Sequence, residues 1–208
     1  MGVPGVVRSV PPRLAPGLVL LAALWSPAGS RAAQTSVNVS TNYYFFTGTN
    51  RAGIRAAMIQ SRPWKQSSAY DAHTEWQMRC SLTWRRAGGQ YVIDTFQVKT
   101  KVALTLPGWI PAPPVDSELV SQWQEFFKGL SRHEQGHVQL ARDATAELER
   151  RLSAIGGYDS AKELTVAADR AAKEITDEFR KKDRSYDQET RHGVTQGAIF
   201  GPGPPAAR

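Results

Sequence analysis

The longest regular pattern in the chain is a helical one that covers residues 117–155. Apolar side chains recur there every three or four residues, the spacing that places them on one face of an α-helix. Asp116 or Ser117 can cap its start, and Gly156 and Gly157 can end it. The periodicity therefore predicts one long amphipathic helix in the C-terminal half of the chain.

This helix contains the sequence His-Glu-Gln-Gly-His at residues 133–137. His133 and His137 are four residues apart, so both imidazoles leave the same helix face one turn apart and can bind one metal ion. Glu134 lies beside them, where a zinc peptidase has the general base that takes a proton from the attacking water. The pattern predicts one catalytic Zn²⁺ ion and hydrolysis of peptide bonds. Two exposed histidines without a metal are the alternative interpretation.

A second helix is predicted from residue 160 to about residue 183, with Asp159 or Ser160 as its cap. If the two helices are antiparallel, the first runs about 27 Å beyond His137 and the second returns about 35 Å. Residues 186–193, which we expect to form a loop, therefore come back to the level of the histidine pair.

A catalytic zinc ion requires three protein ligands and one open position, so the two histidines need a third partner. His192 in the returning loop is our first choice. Asp187 is the second, and Glu178 or Glu174 on the helix itself is a third possibility. The sequence leaves these alternatives open.

Two further side chains have a predicted role or location. Tyr186 is the best candidate to stabilise the oxyanion of a tetrahedral intermediate through its hydroxyl, with a packing role as the alternative. His73, just before a predicted strand, is expected to be a surface residue.

The N-terminal half carries strand patterns. A short helix is predicted over residues 50–60, and Gly88 and Gly89 form a turn. Pro107 ends the last strand and begins an extended connector. The strands are identified by aromatic content or by two-residue alternation: residues 42–47, 74–85 and 96–106. The last two form an antiparallel hairpin, so we predict an α+β fold in which a small antiparallel sheet packs on the pair of long helices.

The first 32 residues have the features of an export signal. Arg8 and Arg13 precede an apolar run at residues 14–25, which is too short to cross a bilayer, and a small-x-small pattern ends at Ala32. We predict cleavage after Ala32 and a secreted or periplasmic protein without stable membrane insertion. The mature chain is then one domain at residues 33–197 with a flexible tail at 198–208.

Charge and cysteine content exclude some classes of function. The formal net charge of +7 includes three arginines of the signal segment, and the remaining basic residues are mixed with acidic ones, so nucleic-acid binding is not expected. Cys80 is the only cysteine, which excludes an intramolecular disulfide and a multi-thiolate zinc site. Its place in the strand alternation predicts a buried structural thiol.

Several short motifs are spread over residues 40–197. They are Tyr43-Tyr44 before Gly48, Thr74-x-Trp76, Leu106-Pro107-x-Trp109, Trp123, His133-Glu134-x-x-His137 and Tyr186-Asp187-x-x-Thr190-x-His192-Gly193. Together they resemble a bacterial family of predicted secreted zinc-dependent proteases, domain of unknown function 922. The histidine motif is shared with many families, so the specificity of the resemblance comes from its pairing with the segment that follows the second helix.

The resemblance implies a zincin-like metallopeptidase fold with His133, Glu134 and His137 in the usual roles. Tyr91 stands where the family leads us to expect a second cysteine, so any family disulfide is absent here. The substrate is expected to be a peptide or protein, which could add to an edge of the hairpin. A cell-wall peptide amidase of the same chemistry and a non-catalytic periplasmic module with a structural metal are the alternatives.

Overall fold

The structure is a computed structural model that describes residues 32–64 and 70–201. Its α+β architecture confirms the predicted order of strand, helix, hairpin and two long helices. The elements are β1 (Ala32–Thr47), α1 (Arg51–Ser61), β2 (His73–Ala87), β3 (Gln90–Ile110), α2 (Ser117–Ala154) and α3 (Ala161–Thr190), followed by a 3₁₀ turn at Val194–Gln196. Of the helices in the described part, none is long and apolar enough to cross a membrane. The predicted signal peptide lies outside the described residues except for its last residue.

The three strands form one sheet in the order β1-β3-β2. β2 and β3 make the predicted antiparallel hairpin, in which the Thr83 and Thr95 hydroxyls are 2.8 Å apart across the strands. Gly88 and Gly89 have φ values of +60° and +86°. A two-residue hairpin turn of type I′ requires positive φ at both central positions, which explains the glycine pair.

The prediction of a wholly antiparallel sheet is wrong, because β1 is parallel to β3. Gln34 contacts Gln97, and six residues later the Ser40 hydroxyl donates to the carbonyl of Val102. The contacts advance in the same direction along both strands. β2, which is antiparallel to β3, returns the chain to the end of the sheet where β3 begins, so the connection between the two parallel strands includes a strand.

β3 is longer than predicted, since it runs through Pro107 to Ile110 instead of stopping at the proline. The Thr83–Thr95 pair sets a register in which His73, the first residue of β2, lies opposite a position near residue 105. Beyond that point β3 has a neighbouring strand on one side only. Proline is tolerated in such a place, because a missing N–H on an open side removes no ladder hydrogen bond.

Both long helices begin at predicted caps. The backbone N–H of Glu118 donates to Asp116 Oδ1 at the start of α2. At the start of α3, Ser160 and Glu163 exchange backbone and side-chain hydrogen bonds, which is a capping box. α3 continues to Thr190, so the loop predicted to begin near residue 184 is mostly helical.

The two helices are antiparallel, as predicted. Arg151 near the end of α2 pairs with Glu174 in the first half of α3. His133, earlier on α2, stacks on Tyr186 near the end of α3. The contacts therefore run in opposite directions along the pair.

The chain forms two compact units, and each long element contributes residues to both. In the first, whose described residues are 32–37, 77–100 and 143–177, the buried apolar side chains come from the hairpin and from the facing parts of α2 and α3. They are Met78, Cys80, Leu82, Ile93, Phe96, Val98, Ala144, Leu148, Leu152, Leu164, Ala168, Ala171 and Ile175.

The described residues of the second unit are 38–64, 70–76, 101–142 and 178–201. Its core combines aromatic residues of β1 with α1, the end of β3 and the start of α2. The buried members are Tyr44, Phe46, Ile54, Met58, Ala72, Leu106, Leu119, Phe126, Leu130 and Phe200.

The packed domain extends beyond residue 197, where we expected a flexible tail to begin. Arg191, His192 and Gly193 all have positive φ and turn the chain at the end of α3. The returning segment approaches Gly129 of α2 so closely that a Cβ there would lie 2.3 Å from the backbone carbon of Gly197. Residues 202–208 of the predicted tail lie outside the described part.

Cys80 is buried in β2, which confirms the prediction of a structural thiol. Burial, with a smaller contribution from the carboxylate of Asp169, raises the pKa of its thiol to about 11. A thiol with such a pKa is almost fully protonated at neutral pH and is a poor nucleophile.

Candidate metal centre

Three ionisable side chains of one helical turn are buried in α2. His133 and Glu134 are each 3% exposed and His137 is 8% exposed. Burial of ionisable groups is unfavourable unless each has a partner. Such a cluster therefore points to function more than to stability.

The imidazoles of His133 and His137 converge with the carboxylate of Asp187 from α3. The two Nε2 atoms are 3.3 Å apart, and Asp187 Oδ1 lies 3.2 Å from that of His133 and 3.1 Å from that of His137. A tetrahedral zinc ion with bonds of 2.0–2.2 Å holds its ligand atoms about 3.3–3.5 Å apart. Two imidazole nitrogens and a carboxylate oxygen are also a ligand set that zinc accepts, so the three residues fit the ion.

His137 is held by a partner on its other ring nitrogen. Its Nδ1 lies 3.0 Å from Asp183 Oδ1, and the second oxygen of Asp183 accepts a 2.6 Å hydrogen bond from the indole N–H of Trp76. When Nδ1–H donates to a carboxylate, the Nε2 lone pair is directed toward the metal position. Asp183 and Trp76 therefore orient the imidazole.

The Nδ1 atom of His133 also has hydrogen-bond partners, which come from the end of α3 and the turn that follows it. Its Nδ1 is 3.2 Å from Gln196 Oε1 and 3.2 Å from the hydroxyl of Thr190. The Gln196 amide N–H donates in turn to the hydroxyl of Tyr186 at 2.9 Å. The 3₁₀ turn after α3 thus contributes Gln196, which orients the imidazole of His133.

Glu134 accepts a 2.5 Å hydrogen bond from the hydroxyl of Thr74, the second residue of β2. Burial raises the pKa of Glu134, while the Thr74 hydroxyl and the nearby His137 and His133 partly oppose that rise. A carboxylate with a raised pKa holds a proton more readily, which suits a general base.

The cluster also shifts the pKa values of its other members. Burial lowers the pKa of His137, but hydrogen bonds to Asp183 and Asp187 more than compensate and raise it to about 9. Burial raises the pKa of Asp187, yet the combined effect of His133, His137 and His192 holds it well below its usual range. Both shifts favour the charged forms, an imidazolium at His137 and a carboxylate at Asp187.

Tyr186 does not have the place expected of an oxyanion stabiliser. Its ring stacks on His133 with centroids 5.1 Å apart, and its hydroxyl donates to the carbonyl of His133. The side chain fits against α2 at Gly136, and it is not among the residues that line the cavity in front of the histidines. The structure therefore places Tyr186 behind His133, on the side away from the cavity lining.

We predict that Gly136→Ala destabilises the protein. A Cβ at this position would lie 2.1 Å from the Tyr186 hydroxyl oxygen, so the ring would have to move. Overpacking costs about 1–3 kcal/mol, which exceeds the gain of roughly 1 kcal/mol that alanine brings to a helix interior. Denaturant unfolding measures the difference.

Gly156→Ala is the matched control, because a Cβ there meets no atom within 4 Å. It should leave the free energy of unfolding nearly unchanged. In the Tyr186→Ala background, Gly136→Ala should become harmless. A Gly136→Ala protein as stable as the parent would contradict the tight fit.

His192, our first choice for the third ligand, lies beside the cluster but outside the triangle of ligand atoms. Its Nδ1 is 3.3 Å from Asp187 Oδ1, and its side chain is 41% exposed. The group of potential metal ligands with mutually close atoms comprises His133, His137 and Asp187. The second choice, Asp187, thus has the better position.

The structure does not bring the two glutamates of α3 to this cluster. Glu178 pairs with Lys182 one turn further along the same helix. Glu174 pairs with Arg151 and belongs to the first compact unit. Both carboxylates have other partners than the histidine pair.

A cavity of about 300 Å³ opens in front of the histidines. The chain contains four histidines, and all of them line it: His73, His133, His137 and His192. His73 is exposed, as predicted, but its exposed side chain faces this cavity, where it stacks on Tyr70. The concentration of every imidazole at one cavity is further support for a functional site.

The residues that support the histidines from behind were missed at the level of sequence. Asp183 could have been found, because it lies four residues before Asp187 and shares its helix face. Trp76 and Thr74 stand at the start of a strand, and nothing in their local pattern indicates a partner on α2 or α3. Gln196 follows a left-handed turn, whose direction the sequence does not specify.

No curated protein and no solved structure matches the chain significantly. A family model does match, over residues 41–193, and this range includes the three converging residues, Glu134 and their partners Trp76 and Asp183. The matched range covers most of the chain, in agreement with the resemblance seen in the sequence. The protein therefore belongs to the family of bacterial proteins of unknown function designated DUF922.

Proposed function

We propose that this protein is an exported, zincin-like zinc metallopeptidase. His133, His137 and Asp187 hold the ion, and Glu134 is the general base. The observation that carries the proposal is the convergence of two imidazole nitrogens and one carboxylate oxygen within 3.3 Å of one another, at the wall of a cavity that Glu134 also lines. The signal-like segment at residues 1–32 supports the export.

A zinc ion at this position would supply Lewis-acid chemistry, polarising the scissile carbonyl and lowering the pKa of water. Glu134 takes a proton from the attacking water as the new carbon–oxygen bond forms. The same carboxyl group then delivers that proton to the leaving nitrogen as the carbon–nitrogen bond breaks. The Thr74 hydroxyl holds one oxygen of Glu134, so the other is directed to the reaction.

An extended peptide is the substrate that the surroundings of the cavity suit best. β2 is an edge strand of the sheet, and its first residues, His73 and Thr74, line the cavity. A peptide added to such an edge gains main-chain hydrogen bonds without strong demands on its side chains. A peptide bound in this way would have a scissile bond near the ligand cluster.

Metal content and activity test the proposal together. The purified protein should contain one zinc ion per chain and should cleave unfolded casein. Removal of the ion by a chelator should abolish cleavage, and one equivalent of Zn²⁺ should restore it. Metal stoichiometry by atomic emission, combined with a casein assay, measures both.

Two outcomes would favour the alternative functions. Cleavage of peptidoglycan fragments but not of casein would make the protein a cell-wall peptide amidase of the same chemistry. A closed site in which Asp187 and His192 both bind zinc and no position stays open would indicate a structural metal in a non-catalytic module.

A further inference from the structure

Two arginines line the same cavity as the histidines. Arg180 and Arg184 lie on α3, one turn apart, and share a helix face with Asp187. At 1.5 Å per residue, Arg184 precedes Asp187 by about 4.5 Å and Arg180 precedes it by about 10.5 Å along the helix axis. Positive charge therefore extends from the metal position along one wall of the cavity.

Neither guanidinium has a partner within the described residues 32–64 and 70–201. Lys182, on the same stretch of helix, pairs with Glu178. The acidic groups of the cavity are already engaged, Glu134 by Thr74, and Asp183 and Asp187 by the histidines. The two arginines are left as the unneutralised charges of the cavity.

Arginine binds carboxylates through parallel N–H···O bonds, which makes an anionic group the natural partner of such a pair. A peptide bound in the cavity can offer one as an Asp or Glu side chain or as its C-terminal carboxylate. Extended peptide residues are spaced about 3.3–3.6 Å apart. The axial offsets of the arginines from Asp187 therefore correspond to one to three substrate residues.

We propose that Arg180 and Arg184 bind a substrate carboxylate within three residues of the scissile bond, so that the enzyme prefers acidic peptides. The proposal rests on the proposed function, since it assumes that a peptide is held in this cavity. It adds the chemical class of substrate that the site selects.

Pairs of internally quenched peptides that differ by Asp against Asn near the cleaved bond provide the test. The parent protein should have a kcat/KM about 10- to 100-fold higher for the Asp member, the range expected for a charge-assisted hydrogen bond. Arg184→Gln and Arg180→Gln should reduce that preference, and Arg184→Glu should reverse it in favour of Lys-containing peptides. Lys181→Gln removes a charge from an exposed residue of the same helix outside the cavity, and it should leave the preference unchanged.

A binding measurement separates this proposal from the proposed function. The zinc-loaded Glu134→Gln protein should bind the Asp peptide more tightly than the Asn peptide, and Arg184→Gln in that background should remove the difference. If the parent protein cleaves neither peptide but the binding preference is present, the proposal of peptide hydrolysis is wrong and the carboxylate site is supported. If the parent protein cleaves both peptides equally well, and the arginine variants do the same, the proposed carboxylate site is wrong while the proposed peptidase activity stands. A stronger preference for a phosphoserine peptide than for the Asp peptide would overturn the choice of carboxylate.

Discussion

Replacing Glu134 with Gln should leave zinc bound and lower kcat by at least about 100-fold, because general-base catalysis contributes factors of 10² to 10⁴. The amide has the size of the carboxylate, and its oxygen can still accept the hydrogen bond from Thr74. It cannot take a proton from water at neutral pH. Zinc stoichiometry and single-turnover cleavage of casein, measured on the same preparation, check both halves of the expectation.

Glu125→Gln is the matched control, since Glu125 is an exposed carboxylate on the same helix. It should retain full activity and metal. Full activity of the Glu134→Gln protein would remove Glu134 from the mechanism. Loss of zinc in that protein would instead mean that Glu134 supports the ligands.

Asp187→Ala should weaken zinc binding by more than about 100-fold, because loss of even an outer partner of a metal ligand costs 10- to 100-fold. Asp187 Oδ1 lies within 3.2 Å of both Nε2 atoms, so its removal leaves two ligands where a catalytic site needs three. His192→Ala should keep the ion. Competition with a chromophoric chelator measures the affinity of each variant.

Glu189→Ala, an exposed substitution two residues along α3, should bind zinc like the parent. The opposite pattern, in which His192→Ala loses zinc and Asp187→Ala retains it, would restore His192 as the third ligand. Such a result would require the exposed imidazole to move into the triangle when the metal binds.

Helical periodicity alone was sufficient to predict much of the site. The four-residue spacing places His133 and His137 on one face, and the apolar pattern on both sides of them predicts that α2 continues through the pair. The turn at residues 156–160 then requires a second helix to return along the first. From these steps the sequence could predict that residues near 187 reach the histidines.

The choice between Asp187 and His192 could not be made in the same way. We expected residues 186–193 to form a loop, and a loop has no fixed phase that would assign a side chain to a face. Because α3 continues to Thr190, Asp183 and Asp187 fall on one face with Arg180 and Arg184, toward the cavity. Had the second helix been predicted to extend to Thr190, its periodicity would have indicated the carboxylate of Asp187 as the third ligand.

Other parts of the fold depend on long-range packing that local patterns do not encode. The parallel pairing of β1 with β3 arises because β1 lies along β3 and not along the other edge of the hairpin, at β2. The return of residues 194–200 depends on three consecutive left-handed residues, of which Arg191 and His192 are not glycine. Such a conformation is unfavourable for these side chains, and packing of the segment that follows has to maintain it.

Because all four imidazoles line one cavity, the histidine signals of an NMR spectrum can report on this site alone. In most proteins the histidine ring resonances of an NMR spectrum report on scattered places, and site signals must be found among them. Here every ring proton signal of histidine comes from the wall of this cavity. A zinc titration, binding of a substrate carboxylate or a change at Asp187 could therefore be followed in the unmodified protein from the ring protons of its four histidines, without any label.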